Sequence, residues 1–215
     1  MTKKVSFVAD IAGDIDDLVA IEYLWSLGRL DSVVLDGKTR DDERESKLKE
    51  LKIPIVNSIQ TSNVLCGGAF TPIVKYLDLG YKLDNLILNG FFAGSNIVPA
   101  QHVLSKFKNI LTCPSYNPNL DANSALKLIS YGNFVAVSKN VCHHPDNVIG
   151  KWHGKHNCKP TKKLHDLLMA KEGLNIIDGK DTLCEYIPVS IYRDNFKWGA
   201  VENPYSDIKI SIYKK

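Results

Sequence analysis

The chain predicts an α/β fold: a mainly parallel open sheet with helices on both faces. Short apolar runs of strand length, among them Val5–Ala9 and Leu86–Asn89, alternate along the chain with segments of helical apolar spacing. These runs are nearly continuous in apolar residues, as strands covered on both faces are. At 215 residues and 44% hydrophobic composition, the chain is long enough for one compact domain, 1–215, with a sizeable core.

The elements follow in order. Val5–Ala9 predicts a buried strand, and Leu18, Ile21, Leu24 and Leu27 share one face of a helix beginning near Asp16. Asp31–Leu35 predicts the second strand, and Asp41–Leu51, with charges of both signs, a solvent-facing helix. Ile53–Asn57 and Ser62–Cys66 are strand candidates, Gly67-Gly68 a turn and Phe70–Leu79 a helix. Leu86–Asn89 reads as a buried strand entering the loop Gly90–Asn96; Val98–Phe107 predicts a helix and Ile110–Cys113 a short strand. Asp121 ahead of an apolar-periodic segment predicts a capped helix, Asp121–Ser130, and Phe134–Ser138 is the next strand. The His-, Lys-, Gly- and Asn-rich stretch at 139–160 predicts a loop or lid insertion, and Leu164–Lys171 a helix. Thr182–Ile191, Lys197–Val201 and Ile208–Tyr213 are short strand candidates, suited to an antiparallel C-terminal edge.

Net charge is +3, from 27 Lys+Arg against 24 Asp+Glu, too small an excess to imply a nucleic-acid partner. No stretch reaches the ~20 apolar residues of a membrane span, and the first apolar run stops at Asp10, unlike a signal peptide. The five cysteines are dispersed without CxxC spacing, which fits a reducing compartment and a cytoplasmic location. The basic stretch Lys151–Lys163 reads either as a solvated loop or as a seat for an anion.

Chemistry concentrates at Asp10-Ile11-Ala12-Gly13-Asp14-Ile15-Asp16-Asp17, where four carboxylates fall between a strand and a helix. The carboxyl edge of an open α/β sheet is where ligands bind. Carboxylates crowded there repel one another, and a bound Ca²⁺ or Mg²⁺ offsets the repulsion. The alternative is that Asp14 or Asp16 caps the helix while the others favour its positive end. A dinucleotide loop is set aside because GxGxxG is absent, and Gly37-Lys38-Thr39 lacks the upstream glycine of a phosphate loop.

The stretch Val8–Ile21 resembles the DTDxGxDxDDxxAL opening of the inosine–uridine-preferring nucleoside hydrolase superfamily. Further similarities follow in the family's order: Cys66–Pro72 to its GxLTN turn, Leu88–Asn96 to its GG…GN segment, and Ser115–Asp121 to its EFNxxxD segment. Asn140–His143 is loosely similar to DVTH, and Leu164–Ala170 resembles the late HDxxA segment. The resemblance implies hydrolysis of the N-glycosidic bond of a nucleoside or modified nucleoside, with Ca²⁺ (Mg²⁺ less so) as cofactor. It implies Asp10, Asp17, Asp166 and the Cys66 carbonyl as metal ligands, with Asp10 also the general base and His165 the acid. Asp16, Asn89, Asn96, Ser115 and Asn117 would contact substrate; separately, the stretch read as a lid offers Trp152 to close against a base. A homo-oligomer is implied as well. Two departures stand out: Val8 replaces the family's first aspartate, and Ser115 its common ribose-binding glutamate. The chain is also short for the family. A descendant that binds a nucleoside-like ligand without turnover, or serves in assembly, stays open, as does a metal-dependent phosphohydrolase. The dispersed Cys142, His143, His144, His153, His156 and Cys158 follow no strong zinc spacing.

Overall fold

The computed structural model describes residues 2–38, 40–144, 164–188 and 209–214. Among the described residues, eight strands form one sheet: β1 (Val5–Ala9), β2 (Leu30–Leu35), β3 (Ile55–Val56), β4 (Asn63–Cys66), β5 (Asn85–Asn89), β6 (Val135–Val137), β7 (Cys184–Pro188) and β8 (Lys209–Tyr213), in the order β3-β2-β1-β4-β5-β6-β8-β7. Every pairing is parallel except β7 against β8, so the expected antiparallel C-terminal edge is present.

The helices are α1 (Asp16–Ser26), α2 (Asp42–Glu50), α3 (Thr71–Asp78), α4 (Tyr116–Leu120), α5 (Ala122–Tyr131), α6 (Lys139–Cys142) and α7 (His165–Ile177). Side chains alternate across each strand, so the sheet feeds two cores. Phe7, Val33, Leu65, Ile87 and Val137 face one side with Ile21 and Leu24 of α1, Leu48 of α2, and Met169 and Leu174 of α7. Val8, Val34, Val64, Leu88 and Ala136 face the other with Ile73 of α3 and Leu128 of α5. Burying each of the larger of these side chains contributes about 1.5–3 kcal/mol. Gly173 lets α7 lie close on the sheet, since a Cβ there would stand 2.6 Å from Leu65 Cδ2.

Three expectations need correcting. Val98–Phe107 is not an α-helix but two 3₁₀ turns, Ala100–His102 and Ser105–Phe107, separated by extended backbone at Val103 and Leu104. Ile110–Cys113 is not a strand: the sheet passes from β5 directly to β6, and Leu111 and Cys113 line a small apolar recess of about 30 Å³ instead. The stretch from Lys139, expected as a loop only partly irregular, opens with the short helix α6 rather than with loop backbone. Trp152, most of the expected insertion and the strand candidate Lys197–Val201 lie outside the described residues.

Candidate functional site

The parallel register sets the carboxyl ends of β1, β4 and β5 side by side, with Val8 opposite Cys66 and Cys66 opposite Leu88. Gly67 and Asn89, which directly follow Cys66 and Leu88, therefore meet Asp10, two residues beyond Val8, on one edge. Helices α1 and α7 pack together above that edge, where Val19, Leu164 and Leu167 form a small apolar cluster near their amino ends. This packing brings Asp16, Asp17 and Asp166 together: one carboxylate oxygen from each lies within 4.8 Å of the others. Asp17 and Asp166 are 3% and 2% exposed, and Asp16 is 9% exposed.

Simple capping does not account for these acids. Ile15 and Leu164 occupy the cap positions of α1 and α7, and neither helix has a side-chain cap hydrogen bond. The acids stand in the first turns, where the positive ends of the helices favour them. That help is outweighed. Burial raises the Asp17 carboxyl well above the usual range, and the charges of Asp16 and Asp10 raise it further. Burial likewise raises Asp166, followed by the charges of Asp17 and Asp16.

The chain holds the site in place around these carboxylates. Asp17 Oδ1 accepts the Asp10 amide at 3.1 Å, and Asp166 Oδ1 accepts Asn89 Nδ2 at 2.7 Å. Cys142 donates its thiol to Asn89 Oδ1 at 3.6 Å, which orients that amide. A Cβ on Gly67 would sit 2.6 Å from Oδ1 of both Asp17 and Asp166, so only glycine fits between strand end and carboxylates. An all-oxygen donor set, buried and acidic, suits a hard divalent cation such as Ca²⁺ or Mg²⁺.

A cavity of about 400 Å³ opens over the acids. Of the residues anticipated from sequence, Asp10, Asp16, Asp17, Asn89, Ser115, Asn117, His165 and Asp166 line it. Asn96 does not; it lies exposed in a turn. The Cys66 thiol turns away to the opposite core and donates to the Gly68 carbonyl at 3.3 Å. Asp10 stands beside the close group of three rather than within it, and its Oδ1 accepts the amides of Ala12 and Gly13, both at 3.1 Å. Asp16, expected as a sugar contact, joins the group instead.

Ser115 and Asn117 serve the loop after β5. Ser115 Oγ accepts the Phe91 amide at 3.0 Å, and Asn117 Nδ2 donates to the Asn89 carbonyl at 2.9 Å. Phe91 is held at φ 67, a conformation costing about 1–3 kcal/mol for a bulky residue. Stacking between Phe70 and Phe134, at 5.7 and 5.6 Å, and the Lys139 amide bonded to its carbonyl help keep it there. His165 packs edge-on against His143, ring centroids 5.0 Å apart, and both line the cavity.

Two contributors escaped sequence reasoning. Arg44 of α2 donates through Nη1 to the carbonyls of Ile11, Gly13 and Asp14 at 2.7, 2.9 and 3.2 Å, bracing the acidic loop. Tyr116 lines the cavity, and its phenol is raised by burial and then by the nearby Asp10 charge. The signal for Arg44 was a lone arginine in a helix of mixed charge, which spacing cannot distinguish from a solvated one.

Fold and site together define an α/β open-sheet protein with a buried acidic group suited to a metal ion. No family model matches the chain, and neither a curated protein nor a solved structure matches it.

Proposed function

We propose that this protein hydrolyses the N-glycosidic bond of a nucleoside or modified nucleoside, as the likeness of its motifs to the nucleoside hydrolases implies. The observation that carries the reading is the meeting of Asp16 and Asp17 with Asp166, which lies more than a hundred residues later in the sequence, beside Asp10 in one polar cavity. Asp17, Asp166 and Asp16, with the Cys66 carbonyl, would hold Ca²⁺ in preference to Mg²⁺, because a buried set of protein oxygens suits the ion that gives up its waters more readily. Bound there, the ion would supply a fixed positive charge for a water and the sugar diol.

The remaining work falls to the chain. Breaking the bond to the base leaves positive charge on the sugar ring, which the surrounding carboxylates stabilise electrostatically. Asp10 stands at the cavity wall as general base for the attacking water, held by the Ala12 and Gly13 amides. His165 donates a proton to the departing base, with His143 packed against its ring. The loop braced by Ser115 and Asn117 shapes the sugar-facing wall.

The test is release of free base and free sugar from a broad nucleoside panel in calcium. Asp10→Asn and Asp166→Asn are expected to lower release by at least about a hundredfold, the scale of losing a general base or a charge-stabilising group. Ligand binding with no cleavage across the panel would instead favour a binding role.

A further inference from the structure

The site cavity is electrically lopsided. Five aspartates line it around α1 and α7, whereas Lys139 is its one lysine or arginine among the described residues. Lys139 stands at the end of β6, three strand spacings from β1, roughly 14 Å away. It is half-buried, forms no ion pair among the described residues, and its Nζ meets only the Cys113 thiol, at 3.7 Å. An ammonium partly withdrawn from water and without a carboxylate is poorly compensated, and an anion arriving in the cavity would compensate it.

Ser115 lies on the same wall, and its hydroxyl is already engaged with the Phe91 amide whose carbonyl the Lys139 amide bonds. Position 115 is thus neutral, placing no charge on this wall of the cavity. A glutamate there would repel an anionic group on the sugar; serine does not.

We infer that the cavity takes a sugar bearing a terminal phosphate, so that the substrate class is a nucleoside 5′-monophosphate, with Lys139 as the phosphate contact. This rests on the proposed glycoside hydrolysis for the identity of the bond broken, but the anion seat stands on its own geometry. The acids and their cation would engage the diol end, and Lys139 the phosphate at the other end of the sugar. No new chemical step is involved: the phosphate is bound, not transferred.

Calorimetric binding of ribose 5-phosphate and of ribose, in calcium, tests the seat directly. The wild-type chain is expected to bind the phosphorylated sugar at least about tenfold tighter, as a charge-assisted contact gives. Lys139→Gln is expected to abolish that preference while keeping its melting temperature, and Lys139→Arg to restore it. Equal affinity for the two sugars, no binding of either, or a preference surviving in Lys139→Gln would overturn the proposal; the last would place the phosphate on the cation. Base release is read in parallel from a nucleoside and its 5′-monophosphate. Cleavage of the nucleoside with no preference for ribose 5-phosphate overturns this inference alone. A lysine-dependent preference with no base release from either compound overturns the hydrolase reading and leaves the anion seat standing.

Discussion

At Gly67 a methyl group would fall 2.6 Å from carboxylate oxygens of both Asp17 and Asp166, well inside contact distance. Those same oxygens accept hydrogen bonds from Asp10 and Asn89, so they cannot retreat without breaking them. Gly67→Ala is therefore expected to weaken calcium binding by about 10–100-fold, the range for disturbing groups that orient metal ligands. Isothermal titration checks this, and circular dichroism should show the fold retained; unchanged affinity would mean the ion is held elsewhere. The same residue marks how far sequence could see. Asp17 and Asp166 were legible because acids after a strand and at a late HDxxA segment carry a pattern, whereas that Asp16 and not Asp10 joins them was not. Gly67 was legible only as a turn, because close approach to a residue a hundred positions later leaves no local trace. The pairing of Ser115 and Asn117 with backbone was hidden for the same reason.

At the scale of elements, α2 reads from its own charges as a solvated helix, yet its Arg44 holds three carbonyls of the loop between β1 and α1. Arg44→Ala should cost about 1.5–3 kcal/mol, typical of charge-assisted hydrogen bonds, and speed amide exchange at Ala12–Asp14. Thermal melting and hydrogen exchange measure the two effects; exchange unchanged in the loop would reduce Arg44 to a surface residue. Helix α5 gives a second case, this time one that local pattern revealed. Asp121 accepts the Ser124 amide at 3.1 Å, and hydrogen bonding by Thr71 is the largest cause of its lowered carboxyl, which Lys38 also favours. Because the folded value is depressed, the stability it brings is present above the unfolded value near ~4 and fades as pH falls through the folded value. Asp121→Ala should cost about 1–2 kcal/mol at neutral pH, and the gap from wild type should narrow in acid. A gap independent of pH would exclude the charge as its source. Val98–Phe107 and Ile110–Cys113 failed as predictions because apolar content alone does not say whether a segment reaches the sheet. Theirs stops at the 3₁₀ turns and the recess beside α5.

Across the whole molecule, two cores clamp the sheet, and their packing forces α1 and α7 to present buried acids to one another. That part of the architecture was readable from runs and spacing, since a two-faced parallel sheet needs only apolar strands and amphipathic helices. The exact neighbours at the sheet edge were not, because strand order and helix contact are settled by the packing. The electrostatic consequence is global and can be measured without knowing a substrate. Burial raises both Asp17 and Asp166 in the ion-free fold; the charges of Asp16 and Asp10 raise Asp17 further, and those of Asp17 and Asp16 raise Asp166. A carboxyl raised on folding stabilises the fold below its unfolded value near ~4, and that contribution is lost as pH climbs through the folded value. Ion-free protein should therefore lose stability as pH rises from about 4 toward 8 through this pair. Calcium held there as proposed would reverse the trend, because it would bind the ionised carboxylates and compete with protons for them. At a calcium concentration a hundredfold above Kd the fold gains about 2.7 kcal/mol, or roughly 5–10 °C in melting temperature for a domain of this size. The increment should be largest near neutral pH and shrink in acid, and chelation should remove it. Melting curves with calcium and with chelator across that pH range give the answer. An increment that is absent, or that does not change with pH, would mean the three aspartates share their protons and hold no ion.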